Sequence, residues 1–300
     1  MQVKSFENIA WKSVAHIVLF LFALAAVLPF VLLVSASFTD NQTAVAQGFA
    51  FIPKKFSLDA YNYVVREWRT VGRAYSMTFI VTVGGTLLSL AVTCLFAYAI
   101  SQRDMPGRNL LTLLVIFPML FNGGLVSTYY VWSSVFHIKN TIWALILPNL
   151  LMSAFNVILM RNYFQTTISP NILEAARIDG IGELKLFLVI VLPLSAPIVA
   201  TIGLMGALAY WNDWTNGLYY LTERGGGHLY TIQLVLNSIN ENINYLSNNS
   251  QLATAAATQN LPSTTIRMAL AVLGLLPILL AYPFFQKHFV KGITLGGVKE

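Results

Sequence analysis

Six stretches of this 300-residue chain are apolar enough to cross a lipid bilayer, a task that takes about 20 mostly apolar residues in a helix. They lie at about 13–36, 76–100, 110–132, 142–160, 186–210 and 266–286. In hydrocarbon a backbone must satisfy its own hydrogen bonds, so such stretches are expected as helices. The expected fold class is all-α integral membrane with six transmembrane helices: a short terminus 1–12, a membrane domain 13–290 and a tail 287–300. The loops between the stretches leave no room for a soluble domain. Charged residues make up only 10% of the chain and mean hydropathy is +0.66, where a soluble domain carries roughly 25% charge. This apolar excess excludes disorder, and the single Cys94 excludes a disulfide scaffold. The first stretch is expected to be an uncleaved anchor. Its apolar run is longer than a signal peptide's, and Ser35-Ala36-Ser37 is a weak cleavage signal.

The net charge of +6 lacks the basic stripe that a nucleic-acid surface needs. Membrane proteins concentrate Lys and Arg in cytoplasmic loops, which offers another source for it. With both ends inside, the cytoplasm receives Lys4, Lys12, Arg103, Arg108, Arg161, Arg177, Lys185, Lys287, Lys291 and Lys299. The outside receives Lys54, Lys55, Arg66, Arg69, Arg73, Lys139, Arg224 and Arg267. Five of these eight lie in the long 37–75 loop, which counts less. Both termini are therefore expected in the cytoplasm. Residues 57–72 are expected to form an amphipathic helix with Leu58, Tyr61, Val64, Val65 and Trp68 on one face. Gly225-Gly226-Gly227 is expected as a flexible turn.

The cores of the second to fifth stretches hold no ionisable residue. Proton-driven carriers usually need buried charge in the membrane, so the energy for any transport is expected to enter elsewhere. The chain has no HExxH, CxxC, GxSxG or GxxxxGK[ST] motif, and His16, His137, His228 and His288 lack metal-ligand spacing. No catalytic residue, metal site or cofactor of its own is expected. Some neutral polar residues do sit within the stretches. Asn149, Ser153 and Asn156 follow i, i+4, i+7 spacing, which puts them on one face of a fourth helix. Asn122 adjoins Gly123-Gly124 in the third, and Trp211, Asn212 and Asp213 close the fifth. These residues are candidate linings of a polar pathway. The alternatives are hydrogen bonding between helices and, for Trp211 to Asp213, interfacial anchoring.

The most specific signal is SPNILEAARIDGIGELKLFLVIVLPLSAP, between the fourth and fifth stretches, with the loop itself at 161–185. Ser169 can cap a helix, and Pro170 suits its first position. A helix is expected over 170–178, ended by Gly180 in the left-handed conformation. Ala175 and Ala176 leave room for close approach by another surface, and Glu174 and Arg177 are spaced to pair. A second helix is expected from near Glu183 into the fifth stretch, kinked by Pro193 and Pro197.

The pattern Glu174-Ala175-Ala176, then Gly180, Ile190 and Leu192-Pro193 resembles the EAA motif of ABC-importer permeases. Asp179-Gly180 and Phe187 fit its sugar-permease version. Six stretches, a long loop after the first, and the tail Phe285 to Gly292 resemble the carbohydrate (CUT1, MalG-like) permeases. The segment Leu261 to Met268 together with the tail resembles their LplC/YtcP-like branch. The resemblance implies the type I ABC-importer permease (MetI-like) fold and a subunit that imports a carbohydrate by alternating access. It implies that Glu174, Ala175, Ala176, Arg177, Asp179 and Gly180 dock on a separate ATPase, and that Ile190, Leu192 and Pro193 pass motion into the fifth span. Lys287, Lys291 and Gly292 are implied to lie against or near that ATPase. The implied partners are a second, different permease, two copies of an ABC ATPase that binds ATP and Mg, and an extracytoplasmic solute-binding protein. Ile181 stands where the family often has Ala, and Asn212-Asp213 where Asn-Glu is frequent. Alternatives are the same machine with a non-sugar solute, or a secondary carrier or channel.

Overall fold

A computed structural model describes residues 6–248 and 263–295. In chain order its helices are α1 (Phe6–Ser37), α2 (Asn41–Gln47), α3 (Asp59–Arg66), α4 (Trp68–Ser101), α5 (Arg108–Leu120), α6 (Gly124–Tyr130), α7 (Trp143–Ile146) and α8 (Ala154–Thr167). There follow α9 (Pro170–Ile178), α10 (Glu183–Leu186), α11 (Leu192–Leu194), α12 (Ala196–Asn212), α13 (Thr215–Tyr220), α14 (Glu223–Gly226), α15 (Ile232–Asn248) and α16 (Ser263–Leu295). The described residues contain no strand, only an isolated bridge between Thr39 and Phe56.

Among the described residues three continuous helical segments are long and apolar enough to cross a membrane: Trp11–Ser37, Trp68–Ser101 and Thr264–Ala281. They contain most of the first, second and sixth expected spans. The other three stretches differ from the single straight helices expected. The third is broken between α5 and α6. Pro118 removes a backbone donor near the end of α5, and the Asn122 side chain takes the Gly124 N–H at 2.9 Å, with Gly124 at φ +81°. The fourth is broken between α7 and α8 by Pro148 and by Asn149 at φ +59°. The fifth bends by 84° at Ser195, between Glu183–Leu194 and α12. A π-turn over Phe187–Val191 precedes Pro193, and Pro197 opens α12. Both prolines lack the N–H that a straight helix would need there.

The chain divides into two compact units, residues 1–69 with 238–276 and residues 70–237 with 277–300. In the first, α1 exposes its apolar side chains along most of its length, as a lipid-facing helix does. At its end Ser35, Ala36 and Ser37 are buried. Ser35 donates to the Ala50 carbonyl at 2.7 Å, and Ser37 shares a 2.8 Å hydrogen bond with Tyr61. Asp40 caps α2 through the Thr43 N–H and faces Lys55 at 3.4 Å. In α3 the buried residues are Ala60 and Val64, and Tyr61 stacks on Phe38, while Leu58, Val65 and Trp68 are exposed, so only part of the face expected from periodicity packs.

The second unit has its core where α4, α8 and the α10–α12 arm meet. Ala97, Ile100, Val157, Met160, Leu186 and Val191 are fully buried there, together with Phe187 and Phe164. Further along α4, Gly85 faces Tyr210 of α12; a Cβ at Gly85 would lie 2.6 Å from the Tyr210 ring. The glycine run at 225–227 is ordered as α14 and a 3-10 turn rather than a flexible turn. Its tight packing on Asn140 explains the composition: a Cβ at Gly225 or Gly226 would come within 2.6 or 2.8 Å of that side chain.

Candidate functional site

The 161–185 segment is built by local rules. Ser169 sits at the N-cap of α9 in extended backbone and Pro170 is the first helical residue, though the Ser169 hydroxyl makes no capping bond. At the other end Gly180 adopts φ +78°. Its N–H donates to Arg177 O at 3.0 Å, and the Ile181 N–H donates to Ala176 O at 3.1 Å. These are the paired bonds of a Schellman ending, which needs a residue tolerant of positive φ. Ala176 is buried against the core, whereas Glu174, Ala175, Ile178, Asp179 and Gly180 are exposed. Ile178 is 85% exposed, so α9 presents a small apolar surface flanked by acidic side chains.

Arg177 does not pair with Glu174, as the helical spacing predicts, but reaches across the Gly180 elbow. Its Nε donates to Glu183 Oε1 at 2.8 Å and its Nη2 to Gln102 Oε1 at 2.9 Å. The second Glu183 oxygen accepts from the Tyr98 hydroxyl at 2.8 Å. The hydrogen bond from Arg177 is the largest cause holding the Glu183 carboxyl below its ordinary range, and it raises the guanidinium in turn. Tyr98, Gln102 and Glu183 were not candidates from sequence. Their partners are 75 to 85 residues away for the α4 bonds, and no motif spacing spans that. Beyond the elbow, Ile190 and Leu192 are half-buried against the core and Pro193 is exposed.

The candidate pathway residues do not share a helix face. Asn149 is an exposed residue at the centre of a three-residue turn, closed by Leu150 N–H to Pro148 O at 2.8 Å. Ser153 is the extended N-cap of α8, and only Asn156 lies within that helix. The break that separates them frees backbone carbonyls, and side chains from other helices take them up. Tyr210 donates to Ile146 O at 3.0 Å, Asn216 to Pro148 O at 3.0 Å and Ser89 to Leu150 O at 3.4 Å. Broken backbone at membrane depth is tolerated where protein groups re-satisfy it in this way. Asn122 forms the turn between α5 and α6 and is exposed. At the end of α12, Trp211 is buried and Asn212 bonds back to Leu208 O. Asp213 accepts the N–H groups of Thr215 and Asn216 at 3.2 and 3.4 Å, opening α13; burial nevertheless pushes its carboxyl up. Lys287, Lys291 and Gly292 fall within α16, but their side chains lie outside the described residues, as do Leu261 and Pro262. Among the described residues no three His, Cys, Asp or Glu side chains gather as a metal site.

The chain as a whole, including this helix and its bent apolar arm, matches known proteins. Residues 12–295 match the family of binding-protein-dependent transport system inner membrane components. The chain belongs to this family. It is 40% identical over 283 residues to the polygalacturonan/rhamnogalacturonan transport system permease protein YtcP of Bacillus subtilis (strain 168), covering 94% of this chain and 95% of that one. It is 38% identical over 284 residues to protein LplC of the same organism, covering 94% and 93%. Among solved structures it matches a bacterial ABC transporter involved in import of the acidic polysaccharide alginate. The TM-score is 0.80 at 29% identity, covering 96% of this chain and all of that one.

The protein is therefore an ABC-importer permease subunit with the MetI-like fold, and not itself an enzyme. It is an inner-membrane component with helices able to span a membrane, and permeases of this family work with an ATPase and a binding protein.

Proposed function

We propose that this permease translocates an oligosaccharide, with α9 as the helix that receives motion from the ATPase. The observation that carries this reading is α9 itself: a short helix with Glu174, Ala175 and Ile178 outward, ended at Gly180, and continuous through Glu183 with the bent fifth span. Both termini face the cytoplasm, on the side of the basic 101–109 loop and of the 161–185 loop. A second, different permease completes the pathway, two ATPase subunits bind ATP and Mg, and an extracytoplasmic binding protein delivers the solute. This chain needs no cofactor of its own. The cargo is assigned as a carbohydrate because relatives along nearly the whole chain carry polygalacturonan/rhamnogalacturonan and, at lower identity, arabinooligosaccharides. The cores of the second to fifth spans carry no charge, which suits hydroxyl-rich solutes.

The test is uptake into proteoliposomes holding this permease, a partner permease, the ATPase and the binding protein. Neutral and uronic-acid oligosaccharides are offered in competition. ATP-dependent uptake of either is expected, with none from this chain alone. Uptake by this chain alone, or without ATP, would place it among carriers or channels.

A further inference from the structure

We infer that Glu183 is a positioning residue that braces the Gly180 elbow and ties the ATPase-facing helix α9 to the end of α4, so that both move as one body. The inference rests on the reading of α9 as the receiver of ATPase motion. By chain connectivity α9 follows α8 after Ile168 and Ser169, and it joins the α10–α12 arm through Asp179, Gly180, Ile181 and Gly182. Neither glycine has a neighbouring atom within 4 Å of where a Cβ would stand. Such a joint can swing. Across it, one carboxylate holds two elements: Oε1 takes Arg177 of α9 and Oε2 takes Tyr98 of α4. Arg177 then closes the ring by donating to Gln102, just beyond α4.

Ala176 and Leu173 pack the other face of α9 on the core, but on the Arg177 side packing does not supply the link. Beside the brace lies a cavity of about 440 Å³, with Leu95, Tyr98, Met105, Leu184 and Phe187 among its walls. On this side α9 therefore meets α4 through polar bonds and open space rather than interdigitated side chains. The last turn of α4 is also held from α8, by Arg161 on Ile100 O at 3.3 Å and Gln165 on Ser101 O at 3.1 Å. The brace adds α9 to an end that is already anchored, and α4 becomes a second output of the lever beside the bent fifth span.

The test uses the complete importer in proteoliposomes and reads uptake per ATP hydrolysed. Glu183→Ala is expected to lower that ratio by about fivefold, the size of one partly exposed ion pair, while the ATPase still co-purifies. Glu183→Gln keeps an acceptor for Arg177 and should recover most of the ratio. Nitroxides at Arg103 and Ile178 are expected to report one narrow distance, with and without ATP, that broadens in Glu183→Ala. An unchanged ratio in Glu183→Ala overturns the brace. So does loss of ATPase co-purification, which would make Glu183 a docking residue. So does a distance that shifts with ATP in the unaltered protein. Gly180→Val runs alongside: if it too leaves uptake intact, the reading of α9 fails, and if it alone uncouples, only the brace fails.

Discussion

The 161–185 segment and the 142–160 segment are both helices interrupted at a residue with positive φ, yet they are held in opposite ways. At Gly180 the interruption closes on itself: both hydrogen bonds of the ending come from residues within five positions. At Pro148-Asn149 it closes on other helices, through Tyr210, Asn216 and Ser89, which lie 61 to 68 residues away. The first is a local joint that can be carried as a unit. The second is a seam whose shape belongs to the whole bundle. Substitutions at the joint should therefore change function more than stability, and substitutions at the seam the reverse.

The largest effect is expected at the joint. Gly180→Val forces a β-branched residue to φ +78°, in a region that costs even an ordinary L-residue roughly 1–2 kcal/mol. Uptake should be lost while the protein inserts and purifies normally. A fall in thermal stability as large as the loss of uptake would break the distinction between the two segments. At the seam, Gly85→Leu places a side chain where a Cβ alone would be 2.6 Å from the Tyr210 ring. Overpacking of this kind costs about 1–3 kcal/mol, and displacing Tyr210 also strands the Ile146 carbonyl. A lower midpoint in detergent thermal unfolding is expected. An unshifted midpoint would mean that the α4–α12 contact does not support the break.

The same contrast explains what could be read in the residues alone. Ser169-Pro170 at the start of α9 and Asp179-Gly180 at its end act within a turn of themselves, so the bounds of the helix and its left-handed ending were legible. Apolar length located the three continuous candidate spans and the bent fifth. It could not reveal that the third, fourth and fifth are broken or bent to this degree, because an interrupted helix is stable only if distant side chains take up its freed carbonyls. Asn149, Ser153 and Asn156 have helical spacing, but Pro148 lies just before Asn149 and turns the chain. Arg177 pairs with Glu183 rather than Glu174 for a related reason: i, i+3 geometry is a local rule, whereas a glycine elbow folds Glu183 back within reach, Tyr98 of α4 joins it, and Gln102 just beyond α4 takes Arg177.

A smaller effect is expected from Tyr210→Phe, which keeps the ring and removes only the donor to Ile146 O. A buried acceptor left without a partner costs about 1–3 kcal/mol, so the unfolding midpoint should fall, though less than with Gly85→Leu. Uptake measured at a temperature where the variant remains folded should stay close to normal. Uptake lost without loss of stability would instead place Tyr210 in the pathway.

The smallest effect concerns Asp213, which belongs to the seam's far end. Its carboxylate accepts two backbone N–H groups at the start of α13, but burial raises its pKa above the ordinary 3.8. The sign follows from linkage: the folded state holds the proton more tightly than the unfolded one, so this group's contribution is most favourable at low pH. It is lost as pH rises from the ordinary value through the raised native value. Asp213→Asn keeps an oxygen for both N–H groups and removes the charge. Relative to the unaltered protein it should gain stability as pH rises through that window and be neutral to slightly stabilising at pH 7. Asp213→Ala, which removes the acceptor as well, should lose about 0.5–2 kcal/mol, the usual cost of a missing helix cap. Unfolding midpoints of the three proteins across pH decide it. An Asn variant that weakens as pH rises would show that Asp213 is held as a favourable anion, and that the backbone donors of α13 outweigh its burial.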